Sequence, residues 1–358
     1  MTGYEIFNEA EKRGHEQIVF FNYPEVGLKA IVAVHSTVLG PSLGGCRMRL
    51  YQSEAEAVND VVRLAEGMSY KNSVAGLDLG GGKSCIIADP KIKEGREELF
   101  RQFGECLNFL AGRYISAEDM GTSVGDVMCM KEKTSYVSGT ALKDGGGGDP
   151  SPWTALGVFK GIIAACERRF GNDNLSSRHI SIQGVGHVGF YLAQLLVKAG
   201  AKVTVSDINQ ENVDRAVKEL AVSAVTPDEI YAVDCDVYSP CAVGQTVNPS
   251  VLRKLKCKII AGAANNQLSD ETVYRDILAR NILYCPDFVI NAGGVINCAS
   301  ESRKEGWSES WTKEKVDKIY DTIHKVLELS EKDNKFPEIT ALEMAKNRIN
   351  KAKTGKDG

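Results

Sequence analysis

Histidine is scarce in this 358-residue chain: there are five, and no two stand at H-x-x-x-H or H-E-x-x-H spacing. A helix-borne zinc site is thereby excluded, and no metal is expected. Ten cysteines are present, yet no two form a C-x-x-C pair and most lie inside apolar runs. They read as buried free thiols of a reducing compartment. No uninterrupted apolar run approaches membrane-spanning length, and MTGYEIFNEAEKRGHEQ at the start carries charges where a signal peptide has an apolar core. A soluble, cytoplasmic protein is expected, with no membrane partner. The net charge of -4 leaves no general basic field, and the only Lys-rich stretch is the tail KAKTGKDG, which reads as disordered. Nucleic acid is therefore not an expected partner.

What is present is an ordinary globular balance at a length that allows two domains. Residues 27–35 (GLKAIVAVH) read as a strand. SEAEAVNDVVRLAEGM reads as a helix opened by a capping box from Ser53 to Glu56, with Val58, Val61, Val62 and Ala65 at helical spacing. KSCIIAD follows as strand, REELFRQFGECLNFLAG as helix and YISAEDMGT as a strand running into a loop. KDGGGGDPSP, residues 143–152, has no apolar residue and marks a domain boundary and candidate hinge. The expected fold is α/β in two domains with the active site in the cleft between them. Residues 1–142, completed by 332–358, form an α/β substrate-binding and oligomerisation domain, and 143–331 a nucleotide-binding one.

The second half carries the clearer pattern. HISIQ reads as a strand, then come Gly184, Gly186, His187, Val188 and Gly189 in a GxGxxG loop, then a helix, then the strand KVTVS ending in Asp207, eighteen residues past the last glycine. This is a dinucleotide-binding, Rossmann-type fingerprint: one glycine for the turn, one for approach of the pyrophosphate, one for helix–strand packing. Asp207 suits ribose hydroxyls and repels a 2′-phosphate, and Ile208 and Asn209 follow where an arginine would be needed, so NAD is expected over NADP. CDVYSPCA, CKIIAGAANN and FVINAGG read as further strands, and TKEKVDKIYDTIHKVLELS as one helix returning toward the first domain.

The first half has its own glycine run, AGLDLGGGKS, in which Lys83 follows three consecutive glycines. A phosphate loop is excluded, because the glycine required at position 77 is Leu77 and an apolar strand follows where a helix is needed. A second lysine, Lys71 in MSYKN, lies twelve positions upstream. Two ammonium groups brought together in a glycine-lined pocket would favour loss of one proton, and a neutral lysine is a base. A glycine turn with a solvated lysine is the plain alternative.

GPSLGGCRMRLY, MSYKN, LDLGGGKS, ISAEDMGT, GGGGDPSPWTALGV, IQGVGHVG, SPCAVG, AGAANNQL and PDFVINAGGVIN occur in the order of the leucine/phenylalanine/valine/glutamate dehydrogenase superfamily, which the chain resembles from about Ile6 to Asn350. The resemblance implies NAD-dependent oxidative deamination of an L-amino acid by a homo-oligomer, octameric in the leucine-acting members. It implies Lys83 as catalytic base, Asp119 as proton shuttle for the amine and Lys71 as binder of the substrate carboxylate. It places Leu43, Gly44, Met68, Ala117, Ser138, Val295 and Cys298 about the substrate, and Asn265 between substrate and cofactor. Thr154, Cys241, Ala242 and Asn291 fall beside the nicotinamide. The Ala117 and Val295 pair is that of members acting on leucine, isoleucine and valine. A phenylalanine or other amino-acid dehydrogenase, or a catalytically idle NAD sensor, is the alternative. Departures from the family pattern are Trp153, Cys46, Cys298 and Gln245, the last standing where a glycine is expected.

Overall fold

The computed structural model describes residues 5–355. They divide into two compact units. The first holds the described residues up to Asp149, Asn297–Glu309 and those from Met344 on; the second holds Pro150–Ile296 and Ser310–Glu343.

The first unit is built on five strands, β1 (Gln17–Tyr23), β2 (Leu28–Ser36), β3 (Ser42–Arg49), β4 (Gly80–Ile87) and β5 (Tyr114–Glu118), in the order β1-β2-β4-β3-β5. β3 pairs parallel with both β4 and β5, while β1 and β2 run antiparallel at one edge. The second sheet has β6 (His179–Gln183), β7 (Lys202–Ser206), β8 (Ser223–Ala224), β9 (Val237–Pro240), β10 (Ile259–Ile260) and β11 (Leu283–Tyr284), all parallel, in the order β11-β10-β9-β6-β7-β8. The chain order reverses at β6, and a crevice for a dinucleotide opens at the carboxyl ends of the strands at such a switch point.

In chain order the helices are α1 (Ile6–Arg13), α2 (Glu54–Val74), α3 (Arg96–Asn108), α4 (Val124–Lys131), α5 (Ser151–Phe170), α6 (His187–Lys198), α7 (Gln210–Leu220), α8 (Pro249–Lys254), α9 (Thr272–Ala279), α10 (Asp287–Ile290), α11 (Gly293–Glu301), α12 (Glu309–Asp317), α13 (Ile319–Asp333) and α14 (Pro337–Thr354). Helix α2 lays Val58, Val61, Val62 and Ala65 on one face of the first sheet, against Ile31, Ala33 and Cys85. Helix α3 covers the other face with Leu99, Phe103 and Leu107. Both helices bury the apolar stripe their spacing predicts.

Several expectations are corrected. Gly80, Gly81 and Gly82 form no turn; they are the first residues of strand β4. Glycine weakens a strand, and it persists inside one where another backbone comes close. A Cβ on Gly81 would fall on the backbone of Ser69 in α2, and one on Gly82 would lie 2.7 Å from the Tyr114 ring. The capping box is only half formed: Ser53 accepts from the Glu56 amide at 3.1 Å, but the Glu56 carboxylate accepts from the amide of Gln52. FVINAGG is helical, in α10 and α11, and the strand it was expected to supply is Leu283–Tyr284. A short apolar run does not itself distinguish a strand from a buried helix. The helix expected over TKEKVDKIYDTIHKVLELS is broken at Lys318 into α12 and α13, and α13 packs on α5 and α10 of its own unit. Ser151 and Pro152, expected in a linker, open α5, where a first-turn proline lacks only an amide that would have no partner. The tail is helical as far as Thr354, and its last three residues lie outside the described ones.

Candidate active site

Strand alternation gathers several candidate residues of the first unit on one face. Gly81 and Lys83 point toward α2 from β4; Leu43 and Arg47 share that face from β3; Ala117, paired with Gly45, continues it from β5, and Asp119 follows just beyond the strand. Lys83 is 6% exposed, and a buried ammonium needs a partner. Its Nζ lies 3.0 Å from Asp119 Oδ2. Asp119 has no part in capping the next helix, which is the work of Ser123 and Asp126 in a full capping box. Its backbone amide donates instead to Thr122 Oγ1, which donates to the Cys46 carbonyl, both at 2.9 Å.

Burial alone would push the Asp119 carboxyl up. The charges of Lys83 and then Arg47, with their hydrogen bonds, overcome it and hold the group at about 2. Asp119 is therefore ionised at any working pH.

Lys71 is half-buried in the last turn of α2, two residues beyond Ser69, the residue seated against Gly81. Met68, on the same helix, approaches β3 at Gly44, where a Cβ would lie 3.3 Å from its Cγ. Leu43 and Ala117 are buried, as are Ser138 and Cys298, which meet when Ser138 Oγ donates to the Cys298 carbonyl at 2.7 Å. Burial pushes the Cys298 thiol up to about 12, so it stays neutral.

Three residues of this unit escaped the sequence reading. Arg47 donates from Nε to Asp119 Oδ2 at 3.0 Å and from a terminal nitrogen to Asp60 Oδ2 at 2.9 Å. Gly45 must lack a side chain, since a Cβ there would lie 2.7 Å from that of Asp119. Glu301 accepts from the amides of Gly139, Thr140 and Gly147 at 2.8–3.1 Å and from Thr140 Oγ1, pinning the glycine-rich segment. The glycine pair inside GPSLGGCRMRLY was the available signal for Gly45; the other two act through residues distant in sequence.

In the second unit the fingerprint glycines differ in what surrounds them. Gly184, at φ +96, would place a Cβ 2.7 Å from that of Ala242, and Gly189 would meet the carbonyl of Gly184. Around Gly186, the residue preceding α6, a Cβ would meet nothing within 4 Å. His187 and Val188 form the first turn of α6. Asp207 closes the loop: Oδ2 accepts from the Val185 amide and Oδ1 from that of Asn209, both at 2.8 Å. Ile208 beside it is 94% exposed. Cys241 joins the ends of β9 and β6 by donating its amide to the Gln183 carbonyl at 2.7 Å. Asn291, buried, donates to Asn265 Oδ1 at 2.8 Å and to the Ala263 carbonyl, and Asn265 itself is exposed. Thr154 donates to the Pro150 carbonyl within the first turn of α5, and Val295 is half-buried on α11. Trp153 is half-buried beside Thr154, its carbonyl against Gly293, where a Cβ could not fit. Gln245 takes φ +60, the left-handed conformation a glycine would adopt without strain.

Residues 15–136 match the family model described as Glu/Leu/Phe/Val dehydrogenase, dimerisation domain, and residues 208–355 match that of Glutamate/Leucine/Phenylalanine/Valine dehydrogenase. The chain is 49% identical to a leucine dehydrogenase of Bacillus cereus over 345 residues, covering 96% of this chain and 93% of that one. It is 42% identical to a valine dehydrogenase of Streptomyces virginiae over 348 residues, 96% of each. Among solved structures, the L-tryptophan dehydrogenase of Nostoc punctiforme aligns with a TM-score of 0.85 at 36% identity, covering 98% of this chain and all of that one.

Proposed function

The chain belongs to the glutamate/leucine/phenylalanine/valine dehydrogenase family, and on that premise we propose that it is a leucine-type amino-acid dehydrogenase, converting leucine, isoleucine and valine to 2-oxo acids and ammonia with NAD. The observation that carries the reading is the buried ion pair of Lys83 with Asp119 on the glycine-lined face of the first sheet. Neither an idle binding domain nor a solvated glycine turn needs a lysine and a carboxylate buried together there.

The roles follow from the chemistry. Asp119 takes the proton of the substrate ammonium, because the bond from Cα cannot release a hydride until nitrogen has a free electron pair. Lys71 pairs with the substrate carboxylate and so orients Cα. Lys83, neutral, takes a proton from the water that attacks the imine carbon; protonated, it steadies the negative charge that develops on that oxygen. NAD, when bound, supplies the hydride acceptor. Gly186, Val185 and the amides opening α6 would hold its pyrophosphate, since a Cβ at Gly186 would meet only open space. Asp207 and exposed Ile208 would receive the adenosine.

Leu43, Met68, Ala117, Ser138, Val295 and Cys298 would line the side-chain pocket. None of the six is charged, so a substrate carboxylate placed there would be unpaired at a cost of several kcal/mol. A homo-oligomer, octameric as in leucine-acting relatives, and a cytoplasmic location complete the reading.

NADH formation with a panel of L-amino acids tests it. The three branched-chain substrates should lead phenylalanine and glutamate in kcat/KM, and NADP should be a poor cofactor. Turnover led by phenylalanine or glutamate would overturn the pocket, and no turnover with any amino acid would overturn the activity. Lys83→Ala should lower the rate by roughly 10² to 10⁴ or more while NAD affinity holds; a variant keeping most of its activity removes the base assignment.

A further inference from the structure

Arg47 has no role in the chemistry above, yet it shares with Lys83 a single oxygen of Asp119. Its Nε and the Lys83 Nζ each lie 3.0 Å from Oδ2. At its far end the guanidinium donates to Asp60 Oδ2 at 2.9 Å, and Asp60 is itself held by the Tyr51 hydroxyl and by Arg63, both at 3.0 Å. Arg47 is thus anchored on α2 independently of any substrate, and its charge is permanent.

The anchoring matters at one moment of turnover. When Lys83 is without its proton, Asp119 loses one of its cations. A largely buried carboxylate left unpaired is costly, and that cost would keep the proton on Lys83. Arg47 removes it by keeping Asp119 paired throughout.

We propose that Arg47 is the positioning residue of this site: anchored on Asp60, it holds Asp119 and cancels its charge, so that Lys83 sheds its proton and serves as base. This rests on the reading of Lys83 as the base. The other titratable groups near the cluster are Cys85 on β4, Tyr51 after β3, and Asp60, Arg63 and Lys71 on α2, with Cys46 and Tyr114 on the opposite face of the sheet and Glu118 beside Asp119 in the chain. Burial pushes both thiols up to about 12 and raises both phenols, while Arg47 and its neighbours lower Asp60 despite its burial. None of these five changes charge in the neutral to mildly alkaline range.

The test is the pH profile of kcat/KM for leucine in the wild type, Arg47→Gln and Arg47→Lys. Arg47→Gln should move the acid limb up by roughly one pH unit or more, because the lone carboxylate now favours the ammonium form. Arg47→Lys should leave the limb within about 0.3 unit while lowering kcat, since a point charge does not bridge Asp119 and Asp60 as a planar fork does. An Arg47→Gln limb that coincides with the wild type overturns the proposal. If that variant does not fold, Arg47→Met, which keeps an apolar stem and drops the charge, is judged by the same two outcomes. If it folds but turns over too slowly, the rate at which cyanate carbamylates Lys83 against pH, read by peptide mass, reports the same limb without turnover. Lys83→Ala separates the two readings: if it is inactive and the Arg47→Gln limb stays put, only Arg47 loses its role; if it stays active, the base assignment fails and this proposal with it.

Discussion

The two glycine-rich segments, LGGGK in the first unit and GVGHVG in the second, look alike as strings and differ in what occupies the space beside them. Around Gly80, Gly81 and Gly82 that space is filled by the protein itself: the Ser36 carbonyl, the Ser69 backbone and the Tyr114 ring. Around Gly186 it is open. Glycine serves close packing in the first segment, and there the proposed functional group is the lysine that follows. In the second, Gly184 and Gly189 also pack against protein, and Gly186 leaves room for a ligand to approach bare backbone. A glycine whose missing Cβ would strike protein is a packing device; one whose missing Cβ would strike nothing is a candidate contact.

The largest expected effect breaks the first segment. Gly81→Ala places a methyl on the backbone of Ser69, which cannot swing aside as a flexible side chain could. A loss of about 3 kcal/mol or more is expected, at or beyond the upper end of overpacking, with activity lost as α2 shifts. Chemical denaturation measures it, and a stability within about 0.5 kcal/mol of wild type would erase the distinction between the segments. Gly186→Ala should do the reverse: nearly unchanged stability, with NAD affinity weakened roughly 10- to 100-fold, or about 1.4 to 2.7 kcal/mol. Titration calorimetry on the folded variant checks it.

A smaller contrast lies in how the units answer to pH. In the first, His15 is pushed down to about 4 by burial and then by His35, so it stays neutral in the fold. The unfolded chain binds a proton below about 6.5, and this unit should lose stability as pH falls from about 6.5 to about 4. In the second, Glu338 is pushed up to about 8 by burial and then by Asp287, and it keeps its proton in the fold. The unfolded chain releases that proton near the ordinary 4.5, so here stability falls as pH rises from about 4.5 to about 8. Amide hydrogen exchange resolves the two units separately. Glu338→Gln should flatten the second slope and leave the first, and equal slopes in both units would refute the contrast.

The smallest effect is at Gln245. Its φ of +60 costs an L-residue about 1 kcal/mol relative to glycine. Gln245→Gly should therefore raise stability by up to about 1 kcal/mol in thermal melting, less what the added freedom of the unfolded chain takes back.

Local pattern made much of the molecule legible. Helical spacing of Val58, Val61, Val62 and Ala65 places α2, and glycines between a strand and a helix place the turn after β6. Both follow from forces that act within a few residues: side-chain periodicity and backbone freedom. Where the local signal was double-valued, the reading failed. FVINAGG is apolar enough for a strand, yet it is helical, with Gly293 against the carbonyl of Trp153, 140 positions earlier. Lys318 carries no breaker, yet the helix there divides in two.

The sequence by itself determined which residues stand as candidates for the chemistry and where many of the strands and helices lie, because residue type and spacing act locally. It marked Lys83 by the glycine run and a second lysine, and Asp119 only through the family resemblance of ISAEDMGT. Only the tertiary structure decided that they share an oxygen with Arg47, that Arg47 is anchored on Asp60, and that the three glycines before Lys83 belong to a strand pressed against α2. Such contacts join positions from about a dozen to about seventy residues apart, and their energies depend on burial and on a partner's charge. Neither quantity exists until the chain has folded.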